Sequence, residues 1–425
     1  MPEPITTPAI QLRAACHRTV IPAGEQAQVI YFLAEVLPDP SLARAPANLA
    51  LVLDRSGIML EESLPGIKQA LRDLVEQLQP QDALSVVTAD GEVIIPAQPA
   101  RDRAALNRLI DRLAAQNAER SCAGLAEGLR QAAAGALPER VSRLVYLLGG
   151  ETSGAPQEFE ALAGQAAQAG LPLVAIGVGS AWSETLLSGL ADRSLGCPPG
   201  AGLGTVEHVR QPEDIAEAAR DVYDLLFVKA RRLELTLHLA RGLSVRSLRQ
   251  VSPLIRDLEP AVQRGAGMTA PVGDLPHCGL AFLAEVLAPP RAPGPARLVQ
   301  LEASCRLPDG EAQRVTSDLV VTFAPETGGT NPLDSTVMDY VEAAQAWSLN
   351  LQAIRELDAG SRQAAAQKLR QAAAILISQG RHALADRIRG EADYNIRQYG
   401  QVSNEGRKLI LYGCQHPVRS LAAGE

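Results

Sequence analysis

Asp54 and Ser56 stand two residues apart in Asp54-Arg55-Ser56-Gly57-Ile58-Met59, directly after the apolar run Asn-Leu-Ala-Leu-Val-Leu at 48–53. A carboxylate and a hydroxyl at that spacing, where a buried strand turns into a helix, present two hard oxygens. Two chemistries could use them. One is coordination of Mg²⁺, which demands near-octahedral oxygen ligands. The other is acceptance of the unpaired N–H groups that open the following helix. Other chemistries find little to build on. The six histidines and six cysteines (Cys16, Cys122, Cys197, Cys278, Cys305, Cys414) are dispersed, with no C-x-x-C pair and no zinc spacing. Gly177-Val178-Gly179 follows an apolar run, but Trp182 stands where a dinucleotide fingerprint needs its third glycine. The chain has no Walker loop and no G-x-S-x-G elbow. No enzyme and no bound cofactor are expected.

The elements that must position Asp54 alternate short apolar runs with amphipathic helical patterns from Ala47 to about Val228, which predicts a mostly parallel sheet covered by helices. The run at 48–54 fits a strand buried on both faces. Leu64, Ile67, Leu71, Leu74 and Leu78 then share one helical face. Strands at 83–89 and 92–97 flank Asp90-Gly91, a type I′ hairpin signal. Helices follow at 101–115 and 122–136, then strands at 143–148 and 171–179, each followed by a helix. A short strand at 205–209 leads into a helix over 212–227.

From Lys229 the pattern changes. Leu233, Leu235, Leu237 and Leu239 alternate with polar residues, a half-buried antiparallel strand with His238 on its wet face. Further strands are expected at 279–287, 297–307 and 317–323. Phe-Leu-Ala-Glu-Val-Leu occurs at 32–37 and again at 282–287, which suggests that both copies are strands of one sheet. The N-terminal segment (1–45) and 229–328 would then form one β-sandwich, interrupted by the α/β domain at 46–228. Residues 329–425 are expected to be helical, broken at Gly360, Gly380 and Gly400. Tyr340 and Trp347, seven apart on one face, are expected to pack in the interior.

Composition agrees with an ordinary folded chain of two to three domains: 425 residues, 46% hydrophobic and 21% charged. Only 3% of residues are aromatic, and only Lys68, Lys229, Lys368 and Lys408 among 40 basic residues are lysine. A net charge of −8 argues against nucleic-acid binding, which rests on neutralising phosphates with a basic face. The first thirty residues show no signal-peptide pattern, and no run reaches about 18 apolar residues. A cytoplasmic protein without membrane insertion is expected.

The Asp54-Arg55-Ser56-Gly57-Ile58-Met59 turn, the helix after it, and Leu-Pro-Leu-Val-Ala-Ile-Gly-Val-Gly at 171–179 followed by Trp182 resemble the von Willebrand factor A (VWA) family, in its bacterial intracellular branch. The resemblance implies a doubly wound, Rossmann-like sheet over 47–228 and, more weakly, the flanking sandwich and C-terminal helices. It also implies a metal-ion-dependent adhesion site built from D-x-S-x-S, a later threonine and an aspartate after the fourth strand. Asp54 and Ser56 match the first two positions. Ile58 replaces the second serine, Ala123 the threonine and Gly149 the aspartate. Three of the five positions therefore carry no side-chain oxygen, and Mg²⁺ is not expected to bind tightly. Glu119 or Glu151 would have to swing in to rescue it.

The resemblance then implies a non-enzymatic scaffold or adaptor. Its candidate partner surface holds Asp54, Ser56, Ile58, Ala123, Gly149 and Glu151. The partner would be an ATPase of the AAA+ class, a multi-protein assembly or a second copy of the chain. The alternative is a VWA protein that still holds Mg²⁺ weakly through Asp54 and Ser56 and engages an acidic residue of its partner.

Overall fold

The computed structural model describes residues 8–55, 58–114, 121–197, 204–211, 214–258, 262–264, 267–325 and 332–417, with side chains at 58–63 and 262–264 outside the description. The chain divides into two compact units, Met1–Arg44 with Val228–Val402 and Gly413–Glu425, and Ala45–Phe227 with Ser403–Tyr412.

The first unit begins with β1 (Ile10–Cys16), β2 (Val20–Pro22) and β3 (Gln28–Pro38). The second unit supplies the next stretch of chain: β4 (Ala47–Leu53), α1 (Ile58–Gln77), β5 (Ala83–Thr88), β6 (Val93–Pro99), α2 (Arg103–Asp111), α3 (Cys122–Gly135), β7 (Val141–Leu148), α4 (Pro156–Gln168), β8 (Leu173–Val178), α5 (Glu184–Ser194), β9 (Thr205–Val209) and α6 (Ile215–Leu226). Its sheet runs β6-β5-β4-β7-β8-β9, parallel except for β6 at one edge. Every residue of β4 is buried. Leu49, Leu51 and Leu53 face the core under α1 and α6. Ala50 and Val52 face the opposite core with Leu125, Phe159 and Trp182. From β4 the strand order grows both ways, so its C-terminal end is the topological switch point, where open α/β sheets leave a crevice.

The hairpin between β5 and β6 forms, but not with a type I′ turn. Arg232 is the only described non-glycine residue with positive φ, so Asp90 lacks the left-handed backbone that type I′ requires. Instead Thr88 pairs with Glu92 around a three-residue loop, Gly91 N–H closes on the Thr88 carbonyl at 2.8 Å, and Gly91 takes φ +94°.

The first unit resumes with β10 (Val228–Leu239), β11 (Ser244–Ser252), β12 (Arg256–Asp257), β13 (Val262–Arg264), β14 (Gly267–Pro276), β15 (Leu280–Ala288), β16 (Gly294–Arg306) and β17 (Ala312–Ala324). One sheet runs β1-β3-β15-β11-β12 and the other β13-β14-β10-β16-β17-β2, with a shared apolar core. The repeated hexapeptides are direct antiparallel neighbours, centred on Leu33 opposite Leu283. Phe32 therefore faces Ala284 and Phe282 faces Ala34, each large side chain opposite a small one. His238 is exposed, 3.8 Å from Glu302 across the sheet. Strands β11 and β14 were not legible in the sequence: β11 is arginine-rich, and Pro271, Gly273 and Pro276 punctuate β14.

The helices are α7 (Ser335–Asp358), α8 (Arg362–Ser378), α9 (His382–Gly390), a π turn at Glu391–Asn395, α10 (Ile396–Tyr399) and α11 (Asn404–Tyr412). Gly360, Gly380 and Gly400 all adopt left-handed backbone, with φ between +73° and +79°, at the breaks the sequence indicates. Val337, Tyr340 and Ala344 of α7 pack against Leu33, Ala281 and Leu283 of the first sheet, and Trp347 is buried as well. The departure is α11, which groups with the α/β unit and not with the other C-terminal helices.

Candidate functional site

The end of β4 places Asp54 at the switch point. Its own N–H continues the ladder to the Leu147 carbonyl at 2.9 Å. Its side chain is 1% exposed, and Oδ2 accepts the N–H of Gly149 at 2.9 Å. The position where the resemblance implies an aspartate thus meets Asp54 through its backbone. Ser56 lies outside the described residues, as do Glu119 and the side chain of Ile58.

Arg55, only 6% exposed, turns away to the β5–β6 hairpin and pairs with Asp90 Oδ2 at 2.7 Å and Glu92 Oε2 at 2.6 Å. Burial alone would push the Asp90 carboxyl up, yet the Arg55 guanidinium, together with the Thr88 hydroxyl, holds it below its ordinary value. For Arg55 itself burial opposes the charge, and the two carboxylates raise its pKa. The same hairpin is pinned to β4 by Ala89 N–H on the Leu53 carbonyl, 2.8 Å. It is also pinned to α3, because Gly124 lies so close to Ala89 that a Cβ there would strike its backbone. Ala123 is exposed on the first turn of α3, where Ser121 caps its N–H at 3.3 Å.

The candidate residues therefore separate into two groups: Asp54 and Gly149 are joined and buried, whereas Ala123 and Glu151 are exposed. Among the described residues, no group of three or more His, Cys, Asp or Glu side chains is placed to hold a metal ion. Cys122, beside Ala123, donates to Glu158 at 3.3 Å. Burial and that carboxylate push its thiol up, which weakens it as a nucleophile.

A second cluster lies after β8 and was missed by the sequence reading. Trp182 folds back over β8 and donates Nε1–H to the Gly179 carbonyl at 2.8 Å. Gly177 must be glycine, since a Cβ there would overlap the indole. Onto the indole packs α11. The Lys408 ammonium sits 4.4 Å from the ring centroid and donates to the Ser180 carbonyl, and the Tyr412 ring centroid lies 5.9 Å away. Arg407 pairs with Glu184 at 3.1 Å. Lys408 is 4% exposed; burial lowers its pKa, and Glu184 opposes the shift. A cleft of about 530 Å³ opens beside this cluster, lined by Glu151, Thr152, Ser180, Glu184, Arg407 and Lys408 among others. The signal that could have located the cluster is the scarcity of lysine, but nothing in the sequence ties Lys408 to Trp182.

Residues 47–197 match the von Willebrand factor type A domain family, and residues 335–419 match the Sll0103-like, C-terminal alpha-helical domain. The uncharacterized protein sll0103 of Synechocystis sp. is 28% identical over 339 residues, 78% of each chain. The uncharacterized protein YfbK of Escherichia coli is 29% identical over 153 residues, 34% of this chain and 27% of that protein. The solved structure of von Willebrand factor type A from Catenulispora acidiphila superposes with a TM-score of 0.68 at 17% identity, covering 98% of this chain and 99% of that one. At that identity the likeness concerns the fold.

Proposed function

Since residues 47–197 form a von Willebrand factor type A domain, a class of domain that mediates protein interactions, we propose that the chain is a non-enzymatic scaffold or adaptor. On this reading its VWA domain engages a protein partner without a bound cation. The observation that carries the reading is the Gly149 N–H donated to Asp54 Oδ2. Mg²⁺ needs six hard oxygens. Here Ala123 and Gly149 bring no side-chain oxygen, and the carboxylate faces a positive amide hydrogen. The described donor set does not fit the ion.

The exposed Ala123 and Glu151 supply partner surface, while Asp54 shapes it from beneath by fixing Gly149. An AAA+ ATPase or a multi-protein assembly is the partner type this reading carries, with self-association as its other form. Six free thiols support a reducing, cytoplasmic setting. No helix among the described residues is long and apolar enough to cross a membrane.

Calorimetry with Mg²⁺ and Mn²⁺ on the full chain and on Asp54→Ala tests the reading. No specific cation heat is expected from either protein. A heat in the wild type that disappears in the variant would overturn it in favour of weak coordination through Asp54 and Ser56, completed by an acidic residue of the partner.

A further inference from the structure

The C-terminal helices carry an irregularity that the VWA reading does not use. Between α9 and α10 the backbone widens into the π turn Glu391–Asn395, in which the Ile396 N–H reaches back to the Glu391 carbonyl. In a regular α-helix two residues five apart point about 140° away from each other. The i→i+5 bonding of a π turn brings such residues towards one side. Here the two residues are Tyr394 and Tyr399, whose rings meet edge to face with centroids 6.0 Å apart. They are 62% and 61% exposed, whereas the other five tyrosines are buried or half-buried.

Basic groups surround the pair. The Arg362 guanidinium lies over Gly400, next to Tyr399, so closely that a Cβ on Gly400 would collide with it. Arg370 pairs with Asp393, next to Tyr394, at 2.6 Å. Arg397 is exposed on the same stretch, and neither Arg362 nor Arg397 has an ion-pair partner among the described residues. Three arginines against Asp393 and the buried Glu391 leave the patch positive on a chain whose net charge is −8. A π turn sacrifices regular hydrogen bonding, and its product here is two tyrosines left in water beside unpaired arginines. Tyrosine and arginine are the residue types that anchor protein interfaces.

We propose that this patch binds an acidic peptide segment of a partner protein. Arg362 and Arg397 pair with its carboxylates, and the tyrosine pair packs against an apolar or aromatic side chain between them. Single-stranded nucleic acid can also stack on aromatic rings beside arginines, but two unpaired arginines are few for the continuous run of phosphates such a strand presents, whereas a short acidic segment needs only two carboxylate pairings.

The test uses the full chain and fluorescence anisotropy with a labelled glutamate–tyrosine copolymer, with a labelled oligothymidine in parallel. The copolymer is expected to bind and to weaken when NaCl is raised to about 0.5 M. Tyr394→Ser with Tyr399→Ser is expected to weaken binding about tenfold or more, and Arg362→Gln with Arg397→Gln to do the same while flattening the salt dependence. Tyr394→Phe with Tyr399→Phe keeps the ring pair and should retain binding, which separates a lost contact from a lost fold. Asp54→Ala should leave the affinity unchanged, since this patch stands apart from the VWA reading. Failure of the copolymer to bind, wild-type affinity in the serine or the glutamine variant, or oligothymidine binding as tightly as the copolymer would overturn the proposal.

Discussion

The backbone N–H of Gly149 meets Asp54 Oδ2 at 2.9 Å, so the acidic residue that opens the VWA motif is held by the neighbouring strand. Asp54→Ala would leave that amide buried without its acceptor. The expected loss is about 1–3 kcal/mol in urea unfolding, whereas Asp54→Asn, which keeps an acceptor oxygen, should lose less. Equal stability of the alanine variant and the wild type would show that the bond does not hold the site.

If missing oxygens are what keep the ion out, returning them should admit it. The triple variant Ile58→Ser, Ala123→Thr, Gly149→Asp is expected to bind Mg²⁺ with a dissociation constant on the order of 10⁻³ M or tighter, seen as calorimetric heat and as a rise in Tm with added Mg²⁺. A triple variant that folds and still gives no heat would place the obstacle in the backbone.

The Arg55–Asp90 pair predicts a pH signature. The Asp90 carboxyl is held below its ordinary 3.8 in the folded chain. Its contribution is therefore fully present above that value and fades as pH falls through the lower folded one. Asp90→Asn should cost about 1 kcal/mol at neutral pH. The Tm difference between wild type and variant should shrink progressively as pH falls below 3.8. A difference that stayed constant down to pH 3 would rule the ion pair out as its source.

Gly177 and Trp182 make a coupled pair. Gly177→Ala drives a methyl into the indole and is expected to cost about 1–3 kcal/mol, with a change in tryptophan fluorescence. In Trp182→Leu the methyl finds room, so the double variant should be less destabilised than the sum of the singles. Strict additivity would contradict the packing.

In the sandwich, Phe32 lies opposite Ala284. Phe32→Ala should cost about 3–5 kcal/mol. Exchanging both residues, Phe32→Ala with Ala284→Phe, keeps the volume of the cross-strand pair and should recover more than half of the loss. No recovery would mean that the core around each strand is not interchangeable.

How much of this was written in the sequence depends on the range of the interactions. Local periodicity was enough for β4, for the helix face at Leu64–Leu78 and for the glycine stops at 360, 380 and 400, because each is decided within one or two turns of chain. The paired hexapeptides were legible because identical text suggested one sheet, although their register depends on the alternation of phenylalanine and alanine across it. Asp54 was found through its motif. Its bond to Gly149 spans 95 residues, and the Lys408–Trp182 contact spans more than 200; neither leaves a local signal. Asp90-Gly91 misled in detail, since a glycine with positive φ serves the three-residue loop as well as type I′.

The placement of α11 has a consequence in time. The α/β unit is complete only when Ser403–Tyr412 joins it, after the 175 residues Val228–Val402 have been made. At synthesis rates of ~5–20 residues per second, a sheet finished at Phe227 waits roughly 9–35 s for its last helix, and the side of Trp182 that Lys408 and Tyr412 cover stays open over that interval. The nascent chain thus carries a delay between forming its VWA sheet and sealing it, and any helper that shields the indole would have to act within it.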